Sequence, residues 1–268
     1  MVFGDDKQKI SYLDELKIIK EIVDDIQKTA PLFKLRLIIT GLKVLGASHI
    51  DLQFEHIQSV LDCGDPKLVE LITGFDLVNE EDFCPELKTF AKQLIANRNM
   101  TMISTDGKQV PMPMFLHAGE TQNRYLHNVQ DAIALGSKRI GHAFQLQLFP
   151  EVQKVVKEKD ICLEVCPMSN FLLGYSFDLR THPVSYMLTR GIQATISSDD
   201  AGFFGYEGVT MDYLYAAGAW TLDIKDLKQL SLNGITYSTL TEAEKKELIE
   251  KEFNPKWDAW VKMINESY

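Results

Sequence analysis

The chain has 268 residues, a length that suits one large α/β domain. Apolar residues make up 45% and charged residues 25%, a globular composition that excludes a disordered chain apart from the first ten residues. The 28 basic residues against 38 acidic ones leave a net charge of −10, which repels phosphate backbones and anionic bilayers and removes nucleic acid and membrane surfaces as expected partners.

The opening stretch, "MVFGDDKQKISYLDEL", lacks a basic start followed by an apolar core, so it is not read as a signal peptide. If Met1 is the true start, a cytoplasmic chain is expected. No apolar run approaches the ~20 residues that span a bilayer. Short β-rich runs then recur: "LRLIITG" from Leu35, "ELITGFDLV" from Glu70, "MFLHAGE" from Met114, "KRIGHAF" from Lys138, "ICLEVCPMSN" from Ile161 and "QATISSDD" from Gln193. Helix-like stretches lie between them. "NRYLHNVQDAIALG" places Tyr125, Leu126, Val129 and Ile133 at helical spacing, and Gly136 supplies a stop. "PEVQKVVKEKD" is a second such stretch. After Leu240 the chain reads as helical, with Thr241 and Glu244 spaced as a capping box; these helices are expected to pad the strands.

Strands alternating with helices indicate a parallel sheet, and continuously apolar runs indicate strands buried on both faces. A doubly wound open sheet and a (β/α)₈ barrel both fit. Four runs end in chemically loaded side chains: His117/Glu120, His142, Ser169/Asn170 and Asp199/Asp200. A barrel gathers every strand end at one mouth, whereas an open sheet gathers only those beside its switch point, so the barrel is favoured. The expected organisation is one α/β domain over 1–268, with a strand-bearing core at about 35–205 and C-terminal helices at about 206–268.

His117 and His142 each end an apolar strand and are followed by a small residue. Adjacent Asp199 and Asp200 end another; two neighbouring buried carboxylates repel and call for cations or donors. Histidine nitrogens with a carboxylate and an open position make a catalytic zinc arrangement, in which the ion brings the pKa of its water to about 7. Glu120 is then a proton shuttle with a pKa raised by burial, and His142 orients or polarises the nucleophile. The remaining histidines, His49, His56, His127 and His182, read as packing or surface residues. The four cysteines, Cys63, Cys84, Cys162 and Cys166, are too scattered for a disulfide framework; Cys162 and Cys166 read as small core residues. Neither His-x-Glu nor Pro-Cys-x-x-Cys occurs, which excludes the cysteine-liganded nucleobase deaminases.

"HAGE", "RIGHA", "EVCPMSN" and "ISSDD", in that order, resemble the adenosine deaminase family. "LHAGET", "GFDLVNEED" and "SDDAGFFGYEG" are most similar to its secreted branch, the adenosine deaminase-related growth factors. The resemblance runs from about Leu35 to about Leu240. It implies a TIM-type (β/α)₈ barrel of the metal-dependent hydrolase type, one Zn²⁺ per chain, and hydrolytic deamination of adenosine or deoxyadenosine, releasing ammonia. It also implies an extracellular location and a homodimer formed through segments outside this chain. By resemblance, His117 and Asp199 match zinc ligands, and Glu120 the proton donor to purine N1. His142 matches the residue that positions the nucleophile, and Asp200 the one that bonds purine N7. Three positions depart from the family pattern. Asn79 stands at a purine-binding glycine, Ala143 at the glycine after the metal-site histidine, and Ala201 at the proline after the paired aspartates. The family's His-x-His strand is absent from the sequence, so a barrel reduced to about six βα units is expected. The alternative is a non-catalytic member that binds nucleosides or proteins; a third reading is another metal-dependent barrel hydrolase.

Overall fold

The computed structural model of the chain describes residues 10–98, 100–103 and 109–267. Six parallel strands carry the fold: β1 (Leu37–Leu42), β2 (Ile72–Val78), β5 (Phe115–Ala118), β6 (Arg139–His142), β7 (Cys162–Val165) and β8 (Ala194–Ile196). β1 pairs with β2, and β5 to β8 pair in chain order. A parallel bridge between Phe75 and Met114 joins the two groups. The spatial order therefore follows the sequence without reversal. That is the order of a (β/α) barrel; a doubly wound sheet reverses at its switch point. Among the described residues, β1 pairs only with β2 and β8 only with β7, so the arc is open along two edges.

One feature was not expected. Two short strands, β3 (Thr101–Ile103) and β4 (Gln109–Pro111), pair antiparallel between β2 and β5 and stay outside the main sheet. Three-residue strands give too little periodicity to be read from sequence.

Helices α1 (Tyr12–Gln27), α2 (Ala47–Leu61), α3 (Pro66–Val69) and α4 (Ala91–Asn97) cover the first two strands, and α2 buries Ile50, Phe54, Ile57 and Val60. The Phe54 ring stacks on Phe75 of β2 at 4.2 Å between centroids. α5 (Asn128–Leu135) follows β5, α6 (Pro150–Glu158) follows β6, and α7 (Pro167–Leu172) and α8 (Val184–Thr189) follow β7. Val129 and Leu135 of α5 are buried, and each contributes roughly 1.5–3 kcal/mol by leaving water. The helix stops at Gly136, which takes φ +86°. Its start is later than the sequence periodicity predicts. Asn123 Oδ1 accepts the Tyr125 N–H at 3.1 Å, and Thr121 Oγ1 accepts the Asn123 N–H at 2.9 Å. These side-chain turns compete with helix and hold Tyr125 outside it, exposed.

α9 (Thr210–Trp220) and α10 (Ile224–Thr236) return over the sheet. α10 buries Leu230 and Asn233, and Asn233 Nδ2 donates to the Ala194 carbonyl of β8 at 2.8 Å. The capping box at Thr241 and Glu244 starts α11 (Glu242–Leu248), and a π-helical turn at Ile249–Phe253 leads into α12 (Asn254–Ser267). α11 buries no residue and Trp260 of α12 is exposed, but Glu244 of α11 accepts from Arg36, the residue before β1, at 3.1 Å. No helix among the described residues is long and apolar enough to cross a membrane.

Candidate active site

Parallel pairing sets the site. β5 and β6 align His117 with Gly141 and Ala118 with His142, so both histidines reach the same end of the arc. Gly141 allows this closeness: a Cβ there would lie 2.9 Å from Cγ and Nδ1 of the His117 ring. The two imidazoles are tilted, with centroids 5.0 Å apart. The His142 Nε2 lies 3.6 Å from Glu120 Oε1 and 3.9 Å from Asp199 Oδ2. His117, Glu120, His142 and Asp199, singled out on three separate runs, are thus gathered at one mouth.

Each of the four is held from behind. The His117 Nδ1 lies 2.6 Å from Asp76 Oδ2, and the His117 backbone N–H donates to Asp76 Oδ1 at 2.9 Å. This leaves the other ring nitrogen available, the arrangement of a carboxylate-oriented metal histidine. The Glu120 N–H donates to Glu81 Oε1 at 3.0 Å, while Asn128 Nδ2 donates to Glu81 Oε2 at 2.6 Å. Asn170 Nδ2 meets His142 Nδ1 at 3.2 Å, and Asn170 Oδ1 meets His182 Nε2 at 3.0 Å. Ser169 Oγ donates to Asp199 Oδ2 at 2.7 Å.

The environments drive the titrations apart. Burial pushes the Glu120 carboxyl up; His117 opposes this, Asp199 and Glu81 add to it, and the result is about 7. Burial alone would pull His117 down, but the charge and hydrogen bond of Asp76 hold it up at about 10. Burial, with the neighbouring His117 and His182, holds His142 well below the ordinary histidine range. A proton holder near neutrality therefore sits beside a neutral imidazole.

The backbone is strained here too. Six non-glycine residues among those described take positive φ, and four of them stand at this mouth: Asn79 (+118°), His142 (+61°), Ala143 (+50°) and Asp199 (+53°). Ala143 occupies a left-handed position that glycine would fill without strain. Asn79 follows β2, with its side chain turned to accept the Val44 N–H at 3.3 Å. Ala201 is buried, and its carbonyl accepts the Tyr206 N–H at 3.0 Å.

Asp199 and Asp200 are not a buried pair, because β8 ends at Ile196 and both lie in the loop beyond it. Ser169 anchors the Asp199 side chain, whereas Asp200 is exposed with no side-chain hydrogen bond among the described residues. Sequence reasoning also missed Asp76, Glu81, His182 and Lys43. Lys43 is 1% exposed, and its Nζ has no hydrogen-bond partner among the described residues. An aspartate inside the apolar run "GFDLV" was the available signal for Asp76. Cys166, read as core, is buried beside the site: ligand atoms of His142, Cys166 and Asp199 all lie within 4.8 Å of one another. A cavity of about 510 Å³ lies at the opposite ends of the strands, lined by Arg36, Ile72, Phe115, Arg139 and Tyr237. It shares none of the residues of the mouth.

An arc of parallel strands in chain order, with histidines and carboxylates at its mouth, has the fold of a partial (β/α) barrel of the amidohydrolase and deaminase type. The adenosine deaminase family pattern matches residues 17–254, further in both directions than the motifs alone suggested. The chain belongs to the adenosine deaminase family. It is 35% identical over 252 residues to adenosine deaminase 2 of Sus scrofa, covering 90% of this chain and 46% of that protein. The chain thus spans about half the length of the curated relatives it matches. Among solved structures, an amidohydrolase from Burkholderia ambifaria with bound Zn superposes with a TM-score of 0.77 at 19% identity, covering 96% of this chain and 66% of that one. Arabidopsis ADAL complexed with IMP gives 0.64 at 19% identity, covering 80% and 56%.

Proposed function

We propose that the mouth of the arc is the catalytic half of a zinc-dependent deaminase that converts adenosine or deoxyadenosine to the corresponding 6-oxo nucleoside and ammonia. One observation carries this reading: Glu120 is buried 3.6 Å from His142, with a carboxyl poised at about 7. Matching a proton donor to neutral pH is the requirement of general acid catalysis. Family membership and the IMP complex of a structural neighbour support a purine ligand.

The residues fit a zinc ion by their chemistry. Imidazole and carboxylate are ordinary zinc donors, and Asp76 orients His117 as such a ligand is oriented. His117 and Asp199 would hold the ion, with further ligands drawn from beyond the described residues. When bound, zinc supplies Lewis acidity that brings a water's pKa toward neutrality. The chain's own residues do the rest. Glu120 gives its proton to purine N1. His142, kept neutral by burial and accepting the Asn170 amide at Nδ1, carries its proton on Nε2 and orients the water that adds at C6. The Glu120 carboxylate takes one proton from that water and returns it to the amino group, which leaves as ammonia. Loss of the remaining hydroxyl proton to Glu120 forms the 6-oxo product and restores the acid. Asp200, exposed at the rim, is assigned to purine N7 by resemblance, and Asn79 to the purine edge. An extracellular setting and a homodimer also follow from resemblance alone.

The test is ammonia release from adenosine, AMP and adenine by the longest polypeptide carrying this sequence, supplied with zinc. Turnover of adenosine, with at least a thousandfold loss in Glu120→Gln, is expected; turnover that survives Glu120→Gln would remove Glu120 from the reaction. Nucleoside binding without turnover in zinc-replete protein would favour the non-catalytic reading.

A further inference from the structure

Behind the mouth runs a chain of buried hydrogen bonds that starts from a group able only to donate. The Val184 backbone N–H, at the start of α8, donates to His182 Nδ1 at 3.3 Å. A neutral imidazole that accepts at Nδ1 carries its proton on Nε2. His182 Nε2 therefore donates to Asn170 Oδ1 at 3.0 Å. That turns Asn170 Nδ2 toward His142 Nδ1, at 3.2 Å, which accepts in its turn. The links come from the end of β6, from α7, from the segment before α8 and from α8 itself. His142, Asn170 and His182 are each 1% exposed or less, so bulk water does not reach the chain to reverse it. Rings hold His182 in place: Phe144 meets it edge-on and Trp220 lies tilted against it, each at 5.2 Å between centroids. Burial pulls its pKa down to about 4 and keeps it neutral.

We propose that His182 is a positioning residue for the reaction at the mouth: through Asn170, and directed by the Val184 amide, it fixes the proton of His142 on Nε2. The catalytic part of this role rests on the deaminase reading; the location of the proton does not. Moving that proton to Nδ1 would oblige Asn170 to turn its amide and His182 to give up its Nε2–H. A new N–H at His182 Nδ1 would then face the Val184 N–H, donor against donor, in a place closed to water. His142 Nε2 lies 3.6 Å from Glu120 Oε1 and 3.9 Å from Asp199 Oδ2, so the fixed N–H is presented to the two carboxylates. It donates to the water that attacks and does not take that water's proton. Proton transfer falls to Glu120 alone, and orientation falls to a chain whose far end lies on another helix. A catalytic histidine held in the wrong tautomer loses about 10⁴ in kcat, which sets the scale of what His182 protects.

The test is nitrogen-15 spectroscopy of the metal-free chain labelled at histidine, in which long-range couplings to the ring hydrogens identify the protonated nitrogen of each imidazole. The expected result is Nε2–H at both His142 and His182. A neutral His142 protonated on Nδ1 in the unsubstituted protein would overturn the proposal, even if no variant folds. In Asn170→Asp a carboxylate faces His142 Nδ1 and should draw the proton there. In His182→Leu the Asn170 amide loses its direction, and His142 should show both tautomers. His182→Gln, whose amide can donate to Asn170 as the imidazole does, should restore Nε2–H alone. A folded His182→Leu protein in which His142 keeps only Nε2–H would overturn the role of His182. With zinc, in the longest polypeptide carrying this sequence, His182→Leu should lower kcat for adenosine by about 10–100-fold and leave KM within roughly twofold, with recovery in His182→Gln. A change in KM alone would mean that His182 only packs, and would overturn the positioning role. The expected tautomers without any turnover by the unsubstituted protein would overturn the deaminase reading and leave the location of the proton standing.

Discussion

Replacing Glu120 by glutamine should stabilise the metal-free protein, and only at neutral and alkaline pH. The Glu120 side chain is 12% exposed and its carboxyl is displaced from 4.5 to about 7, chiefly by burial. A carboxyl with a raised pKa binds its proton more tightly in the folded state. Its ionisation therefore costs stability, beginning as pH rises past 4.5 and complete a little above 7. The displacement of about 2.5 pH units corresponds to about 3 kcal/mol, a large part of the 5–15 kcal/mol that holds a typical domain folded. Glutamine keeps the volume and never ionises. Urea unfolding of both proteins at several pH values between 4 and 8.5, with chelator present, measures the difference. The two should coincide near pH 4, and Glu120→Gln should exceed the wild type by up to about 3 kcal/mol at pH 8.5. A difference that does not change with pH would refute the reasoning, because it would mean that the carboxylate is already solvated or paired.

Three further outcomes follow from the same geometry. In Asp76→Asn, the imidazole of His117 should lose its proton below neutrality, whereas in the wild type it should stay charged to about pH 10. Nitrogen-15 spectra of labelled histidine read this directly, and the stability that His117 contributes below pH 6.5, lost as pH rises toward 10, should vanish with the substitution. Asn170→Ala leaves two buried imidazoles without their shared partner and should cost roughly 2–4 kcal/mol in urea unfolding. A cost below about 1 kcal/mol would mean that His142 is held by other contacts. Lys43→Met removes a buried amine that has no hydrogen-bond partner among the described residues, though it lies within electrostatic reach of Glu120, and should raise stability by roughly 1–3 kcal/mol. Loss of stability would mean that the attraction to Glu120 outweighs the cost of burial.

The strands were legible because the buried runs are continuously apolar, and four of the six end in side chains that do not belong in a core. His117 and His142 announced the mouth for that reason. Pairing register, which brings them within 5.0 Å, could be inferred only as convergence at a barrel end. The supporting groups were less legible. Asp76 and Glu81 lie in runs that read as strand or acidic loop, and only the fold shows that their oxygens face His117 and Glu120. Cys166 lies within "EVCPMSN", but its closeness to His142 and Asp199 depends on strand pairing that the motif does not show. The late start of α5 was missed because side-chain turns at Thr121 and Asn123 outweigh the helical spacing of Tyr125. Burial of the paired aspartates was overestimated because β8 stops three residues short of Asp199.

The measurement that bears most directly on the central claim is the location of a purine nucleoside on the protein. Amide and imidazole spectra of the labelled chain, followed during titration with inosine, would place it. The account predicts shifts at Gly119, Glu120, His142 and Ala143, around the strand ends that carry the acid and the imidazoles. Shifts confined to Thr73, Arg139 and Tyr237, which line the cavity at the opposite ends of the strands, would contradict it.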